Sequence, residues 1–244
     1  MKYINAGAFA LMVLVNYLST SVPLNGQTPD QISDKYPTLF TPAGYVFAIW
    51  GVIYLLLAGF VVDQFLRENS RVERLGGLFA VSCGFNAAWI FAWHWEFLSL
   101  SLLIMLALLV TLIIISLRLY EGRPSSPRDR WLVDIPFDVY LGWISVATIA
   151  NISVVLYAAG WDGWGLGPVT WAVILIGAAG VLGALSLMLR NNVPFVLVII
   201  WALAGVGAAN ADRLVLAGVA WGVVLALGIL LGWRMAKRAA DRTI

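Results

Sequence analysis

Long apolar stretches alternate with short polar segments along the chain. A helix needs roughly 20 apolar residues to cross a hydrocarbon core of about 30 Å, and eight segments of about that length are present. The pattern therefore predicts an all-α integral membrane protein with about eight transmembrane helices. The predicted spans cover residues 4–23, 43–65, 75–95, 98–120, 131–158, 168–189, 193–209 and 214–235.

The first span follows Lys2 and so also resembles the start of a secretory signal. Such a signal usually carries more positive charge before its apolar stretch and ends at a cleavage site of small residues. Neither feature is clear in this segment, and the sequence favours an uncleaved span.

The basic residues indicate the orientation of these spans, because cytoplasmic loops are enriched in lysine and arginine. With a cytoplasmic N-terminus, all of the 15 basic residues except Lys35 and Arg213 fall on the cytoplasmic side. Adding or removing one span would break this division. We therefore expect a multi-pass protein of the cell membrane with both termini in the cytoplasm.

Composition narrows the function classes. Hydrophobic residues make up 61% of the chain and charged residues 11%, against roughly a quarter charged in soluble domains. A net charge of +2 without a basic patch gives no reason to expect nucleic acid as a partner. Cys83 is the only cysteine, so neither an intrachain disulfide nor a thiolate metal cluster can form, and no metal site is predicted. Hydrolytic and phosphate-binding motifs are absent from the sequence, which leaves an enzyme with little support.

A few polar residues lie inside the predicted spans, where each must either bond a neighbouring helix or serve a function. Asn86 and Asn151 have amides that suit either an interhelical hydrogen bond or a ligand. Asp138 is the most unusual, since it lies inside the fifth span and needs a proton, a partner or a water-filled cavity there. His94 ends the third span between two tryptophans, where a polar interfacial end is the commoner interpretation.

Tryptophan is unusually frequent, with 12 in the chain. Half of them lie near span ends, where an aromatic belt is expected. Trp50, Trp89 and Trp143 lie deeper, in the spans that carry the polar candidates. Flat rings near a few amides would suit a planar apolar ligand. Simple packing of large side chains between helices is the alternative.

Two further features leave alternatives open. The outer loop at residues 25–42 is either an ordered lid or a plain polar connector. The last three spans are rich in glycine, and the eighth carries Gly218-x3-Gly222 and Gly228-x3-Gly232, spacings that let helix backbones approach closely. We expect these glycines to pack within the bundle, with a homodimer face as the alternative.

Three segments resemble the TspO/MBR family, the tryptophan-rich sensory or translocator proteins. YPTLFTPAGYVFAIWGVIYLLLAG, starting at Tyr36, is similar to the family's loop and aromatic second helix. NAAWIFAWH, starting at Asn86, is similar to its third-helix pattern. GWISVATIAN, from Gly142 to Asn151, is similar to its fifth-helix run and is the most specific of the three.

The resemblance implies a five-helix TspO-like transmembrane domain at residues 1–158. A three-helix glycine-rich extension with a short basic C-terminal tail would follow at residues 159–244. It also implies a membrane receptor or carrier for a planar hydrophobic small molecule of the tetrapyrrole class, such as porphyrin or haem. The expected ligand-binding residues are Phe47, Trp50, Asn86, Trp89, Asp138, Trp143, Ala147 and Asn151.

Asp138 stands where the family commonly has an apolar residue. This departure supports an alternative function, a proton-coupled secondary transporter in which Asp138 carries the proton. Tyr157 is not followed by a basic residue, so sterol binding is not implied. A purely structural partner of another membrane protein is a further alternative.

Overall fold

The computed structural model describes residues 1–121 and 126–241, so Arg123 and Arg242 of the predicted charge division lie outside the described residues. Within these ranges the chain forms eight long helices, one for each predicted span, together with several shorter turns. The long helices are α1 (Lys2–Ser21), α2 (Ile49–Leu66), α3 (Leu78–His94), α4 (Leu98–Glu121), α5 (Ile135–Ala158), α6 (Pro168–Arg190), α7 (Val193–Ala209) and α8 (Leu214–Ala240).

Six of these helices, counted with their adjoining turns, are long and apolar enough to cross a membrane. The other two, α3 and α7, are apolar but have 17 residues each. At 1.5 Å per residue that is about 26 Å, a little short of the hydrocarbon core. The all-helical membrane architecture predicted from the hydropathy pattern is confirmed.

The first compact unit comprises Met1–Pro37 and Phe47–Gly160 and contains α1 to α5. Within it α4 packs against α3 and α5, while α1 packs against α2 and α3. Among the six long spans, the one that contains α5 is the most buried. Of its most apolar 18-residue stretch, 61% is buried, against at most 33% in the other five. Residues on α5 therefore face protein on several sides.

The local sequence explains how α5 tolerates polar residues at depth. Ser145 and Thr148 donate their hydroxyls to the carbonyls of Leu141 and Ile144 on the preceding turn, so neither side chain needs an outside partner. A wider π-helical turn at Arg130–Asp134 leads into the helix, and Pro136 lies in the first turn, where a missing N–H costs nothing.

The second compact unit contains α6, α7 and α8, from Trp161 onward, together with Thr38–Val46. Each of the three helices packs against the other two. Close approach depends on glycine in α6, because a Cβ at Gly180 would lie 2.6 Å from a Val223 methyl group and one at Gly183 would lie 3.2 Å from Leu227.

The glycines singled out in α8 do not pack in this way. All four are exposed, and no described residue would lie within 4 Å of a Cβ added at any of them. The expectation that they pack within the bundle is wrong, because the buried face of α8 carries Leu216, Ala220 and Leu227 on the opposite side of the helix. The exposed positions are Gly218, Gly222, Gly228 and Gly232.

An ion-pair network closes one end of the first unit, where α2 ends and α5 begins. Asp63 is 2% exposed and accepts from Arg67 and Arg128, at 2.8 and 2.7 Å. Arg67 also contacts Asp129 at 2.6 Å, and Asn69 donates to the same carboxylate at 2.9 Å. The network joins the end of α2 to the chain that enters α5.

A second pair lies at the same end. Arg71 is buried and pairs with Asp134, and it also donates to the Leu119 carbonyl of α4 at 2.9 Å. Asp134 is therefore part of the contacts that hold the helices together at this end.

Replacing Asp63 by asparagine removes the charge that Arg67 and Arg128 share. Loss of one partner from a buried pair is strongly destabilising, but the two arginine side chains are 26% and 49% exposed and regain water. We expect a loss of about 2 kcal/mol in the free energy of unfolding, measured as a lower thermal midpoint in detergent micelles. Asp212→Asn is the control, because Asp212 is 70% exposed. Equal midpoints for the two variants would contradict the structural role of Asp63.

Candidate functional site

An aromatic cluster lies where the start of α2 meets the middle of α5. The rings of Phe47 and Trp50 stand nearly perpendicular to the Trp143 ring, with centroids 5.8 and 6.1 Å away. Trp50 also stacks on Tyr54 and meets Tyr140 edge to face, at 5.5 and 6.1 Å. Phe47 and Trp50 are half-buried, whereas Trp143 is 3% exposed. Three of the residues predicted from the sequence are thus brought together.

Asn86 connects to this cluster through a hydrogen-bonded chain across three helices. Asn16 of α1 donates to the Asn86 Oδ1 atom at 2.7 Å. The Asn86 Nδ2 atom donates to the Tyr140 hydroxyl of α5 at 2.9 Å, and Tyr140 in turn contacts Trp50. The amide of Asn86 is therefore used inside the protein, and it fixes the position of Tyr140 against the aromatic cluster.

The indole N–H of Trp143 is the exception in this neighbourhood. It is buried and has no hydrogen-bond partner among the described residues. Four other side chains also have one buried, unpaired atom, but each makes a hydrogen bond through another of its atoms; they are Asn5, Arg71, His94 and Arg234. Since the indole nitrogen is the only polar atom of Trp143, this side chain has no hydrogen bond at all. An unpaired buried donor costs free energy that a ligand acceptor would recover.

Trp89 and Asn151 form a second group, nearer the C-terminal ends of α3 and α5. The Trp89 indole donates to the Asn151 side chain at 3.4 Å, and Asn151 donates to Ser101 of α4 at 3.2 Å. Trp89 also stacks on Trp93 with 5.3 Å between centroids. Asn151 therefore ties α3, α4 and α5 together.

Helix geometry places the remaining two predicted residues. Ala147 lies one turn after Trp143, on the same side of α5 and half-buried. Asp138, also half-buried, lies five residues before Trp143. This spacing turns it by about 140° around the helix axis, so the two side chains leave different sides of α5.

The first part of the loop between α1 and α2 is an ordered lid, which we define as Asn25–Pro37. A short helix, Pro29–Asp34, has a capping box at Thr28 and inserts Ile32, which is fully buried, against Trp93 and Val154. The Trp93 indole donates to the Pro29 carbonyl at 3.1 Å.

A polar tether holds the far end of this lid. Lys35 and Tyr36 both donate to the Glu96 carboxylate, at 2.5 and 2.7 Å. Glu96 also lines a recess of about 680 Å³ between the start of α4 and the end of α5. These contacts decide between the two interpretations of this stretch in favour of a lid.

His94, the last residue of α3, is fully buried within the protein. Its Nδ1 atom lies 2.7 Å from the Ile90 carbonyl. Asn25 of the lid donates to the His94 backbone carbonyl at 2.9 Å. The lid covers the end of α3 and excludes water from a residue that the span boundary alone would expose.

Sequence reasoning missed Asn16 and Tyr140, the two partners of Asn86. Asn16 is one of the few polar residues inside the first span, and such residues seek partners on other helices; that signal could have identified it. Tyr140 shows no comparable sign. Within residues 1–121 and 126–241, no group of three or more His, Cys, Asp or Glu side chains is arranged to hold a metal ion.

The fold and this site define a polytopic helical membrane protein whose first unit carries an aromatic cluster with a buried, unpaired donor. A family model described as TSPO-like protein matches residues 2–233, and the chain therefore belongs to this family. The match runs through α6 and α7 into α8, so it covers both compact units. Neither a curated protein nor a solved structure matches the chain. The division at residue 158 into a TspO-like domain and an extension stays a prediction.

Protonation of Glu96 should loosen the lid. Hydrogen bonds from Lys35 and then Tyr36 hold the pKa of Glu96 below its ordinary value of 4.5. A lowered folded-state pKa means that the tether stabilises the lid fully above about pH 4.5 and loses this effect as the pH falls through the folded-state pKa. We expect the hydrogen-exchange protection factors of residues 32–36 to fall about two- to fivefold at low pH, since the pair is partly exposed.

The Glu96→Gln variant should show the lower protection already at neutral pH, with little further change on acidification. Asp30→Asn, in the same lid at an exposed position, serves as the control. Equal hydrogen-exchange protection factors of the wild type at neutral and low pH would show that the tether does not stabilise the lid.

Proposed function

We propose that this protein is a membrane receptor or carrier that binds a planar hydrophobic molecule of the tetrapyrrole class at the aromatic cluster of α2 and α5. Both termini would lie in the cytoplasm and the protein in the cell membrane. Family membership supports a receptor or transporter type of function. The tetrapyrrole class is what the family resemblance implies, and the chemistry of the site supports it.

The unpaired indole N–H of Trp143 is the observation that carries the proposal. A porphyrin offers flat apolar rings, which suit the faces of Phe47 and Trp50. Its carboxylate side chains are acceptors that could satisfy the buried donor. A donor that is expensive to leave unpaired in the apo protein favours a ligand that pairs it.

Binding requires some rearrangement of the site. The Trp143 nitrogen is covered, and the rings of Phe47 and Trp50 lie against the same side chain. These two rings are half-buried, so they can be displaced at less cost than a core residue. A ligand would therefore meet Phe47 and Trp50 first and reach Trp143 when they move.

The charge distribution supports the orientation. The ion-pair network contains Arg67 and Arg128, and the neighbouring pair with Asp134 contains Arg71, so three arginines lie at one end of the first unit. Asn5 of α1 donates to Gln64 of α2 at 2.7 Å, which places the N-terminus at that same end. Basic residues favour the cytoplasmic side. The lid would then lie on the outer side, over the opposite ends of the helices.

Titration with protoporphyrin IX, followed by tryptophan fluorescence of the purified protein, tests the proposal. We expect saturable quenching in the wild type. Trp143→Phe should raise Kd about three- to tenfold, because one net hydrogen bond is lost while the ring remains. Trp50→Phe should also weaken binding.

Trp233→Phe is the control, since Trp233 is 54% exposed on α8 and belongs to the second unit. Quenching that does not saturate, or that is the same in Trp143→Phe, Trp50→Phe and the control, would exclude this site.

Substitution of Asp138 distinguishes ligand binding at the aromatic cluster from proton-coupled transport. Asp138 leaves α5 on a different side from Trp143, so Asp138→Asn should leave the protoporphyrin Kd within about twofold of the wild type. The transport alternative expects pH-dependent uptake into proteoliposomes that this substitution abolishes. Such uptake, lost in the variant, would favour the transporter.

A further inference from the structure

Most of the basic residues of the second unit lie at one of its ends. Arg190 is the last residue of α6. Arg234, Lys237 and Arg238 lie in the last two turns of α8. The Arg234 guanidinium donates to the Met188 carbonyl of α6 at 2.9 Å, so the two helices finish side by side. We call these four basic residues the basic end.

Acidic residues do not balance this charge. Among the described residues of the second unit the acids are Asp162, Asp212 and Asp241. Asp162 precedes α6 and Asp212 precedes α8, so both lie at the opposite end of the unit. Within the part of the chain that the structure describes, the three cations of α8 form no ion pair with a carboxylate. The basic end therefore carries a net positive charge.

The cations of α8 lie at the depth of lipid headgroups. Leu214–Trp233 contains no charged residue, and at 1.5 Å per residue it extends about 30 Å, the thickness of the hydrocarbon core. Trp233 is exposed at the end of this stretch, where tryptophan is enriched at the membrane boundary. Arg234 and the residues after it lie beyond that boundary, at the level of the lipid phosphates.

The Trp233 ring holds two of these cations in one place. The guanidinium carbon of Arg234 and the Nζ atom of Lys237 each lie 5.7 Å from its centroid, within the range of a cation–π attraction. Two positive charges beside one ring repel each other unless an anion lies between them. A phosphate group suits this position, since it accepts charge-assisted hydrogen bonds from both arginine and lysine.

An exposed apolar stripe runs along α8 from these cations toward the middle of the membrane. Leu225, Ile229, Trp233 and Lys237 follow one another at intervals of four residues and therefore lie on one face of the helix. Leu225 and Ile229 are 65% and 73% exposed. The stripe begins beside the cations and is apolar along its length, as an acyl chain below a bound headgroup requires.

We infer that the basic end binds an anionic phospholipid, whose phosphate pairs with Arg234 and Lys237 and whose acyl chain lies along Leu225 and Ile229. A headgroup with a net negative charge is favoured over a zwitterionic one, because the ammonium group of the latter would meet unbalanced positive charge. The apolar stripe favours a lipid over a free phosphate ion. The site lies wholly within the second unit, and its test does not involve the tetrapyrrole ligand.

The NMR signal of the Trp233 indole N–H reports on this site in the full-length ¹⁵N-labelled protein in neutral detergent micelles. Its absence in Trp233→Phe identifies it. Titration with dioleoyl phosphatidylglycerol, the anionic probe, should shift this signal saturably. Dioleoyl phosphatidylcholine should bind at least about fivefold more weakly. The Trp164 signal, from the turn before α6 at the opposite end of the unit, should stay in place.

Lys237→Gln removes one cation from an exposed position. We expect the phosphatidylglycerol Kd to rise about fivefold, the factor that one basic residue near a membrane surface represents. Arg213→Gln is the matched control, because it removes the same charge from a side chain that is 47% exposed at the other end of α8. Its Kd should stay within about twofold of the wild type.

Equal Kd values for the wild type and Lys237→Gln, or for the two lipids, would overturn the inference. An equal loss of affinity in Arg213→Gln, or a Trp164 signal that shifts with the same Kd, would overturn it as well, since binding would then follow overall charge. Inorganic phosphate is the last titrant. If phosphate alone shifts the Trp233 signal saturably and prevents the shift by phosphatidylglycerol, the site takes a free anion and the assignment to a lipid is wrong.

Discussion

Lipid offers no hydrogen bonds, and this constraint organises the first unit of the protein. Every polar side chain inside a span must find a partner on another helix or on its own backbone. Asn86 bonds Asn16 and Tyr140, while Asn151 bonds Ser101. Each of these bonds fixes the rotation of one helix against another. The polar residues that looked like ligand contacts therefore also set the geometry in which the aromatic rings meet.

The same constraint makes Trp143 informative. Its ring packs against Phe47 and Trp50, yet its only polar atom has no partner among the described residues. Packing alone would be satisfied by phenylalanine at this position, without a buried unpaired N–H. The site thus combines closely packed aromatic rings with one unsatisfied donor, and sites for apolar ligands are usually built from such rings and a few placed polar groups.

Hydropathy was sufficient for the helices because a span of apolar residues has few other stable structures. Long-range pairing was not predictable in the same way. Asp63 and Arg128 meet because α2 and α5 are neighbours, and nothing in either local segment indicates this. The glycines of α8 illustrate the opposite case, a predicted contact that does not form. Their spacing permits close packing, but only a facing helix can provide it, and the buried face of α8 is on the other side.

The loop between α1 and α2 shows a further limit of sequence reasoning. Residues 25–42 look like one polar connector, yet the first part docks on α3 and the second part packs with α7. The difference depends on Ile32 and Val46, two apolar residues that are fully buried in separate units. Within the candidate site, Phe47, Trp50 and Trp143 could be predicted from the family resemblance, whereas the role of Tyr140 required the structure.

The most direct test of ligand binding at Trp143 follows the NMR signals of the indole N–H groups of the ¹⁵N-labelled protein in nanodiscs. The chain has 12 tryptophans, and the Trp143 signal is identified by its absence in Trp143→Phe. On saturation with protoporphyrin IX, we predict that this signal moves and that the Trp171 signal, assigned in the same way, stays in place. A Trp143 signal that does not move at saturating ligand would contradict the proposed site.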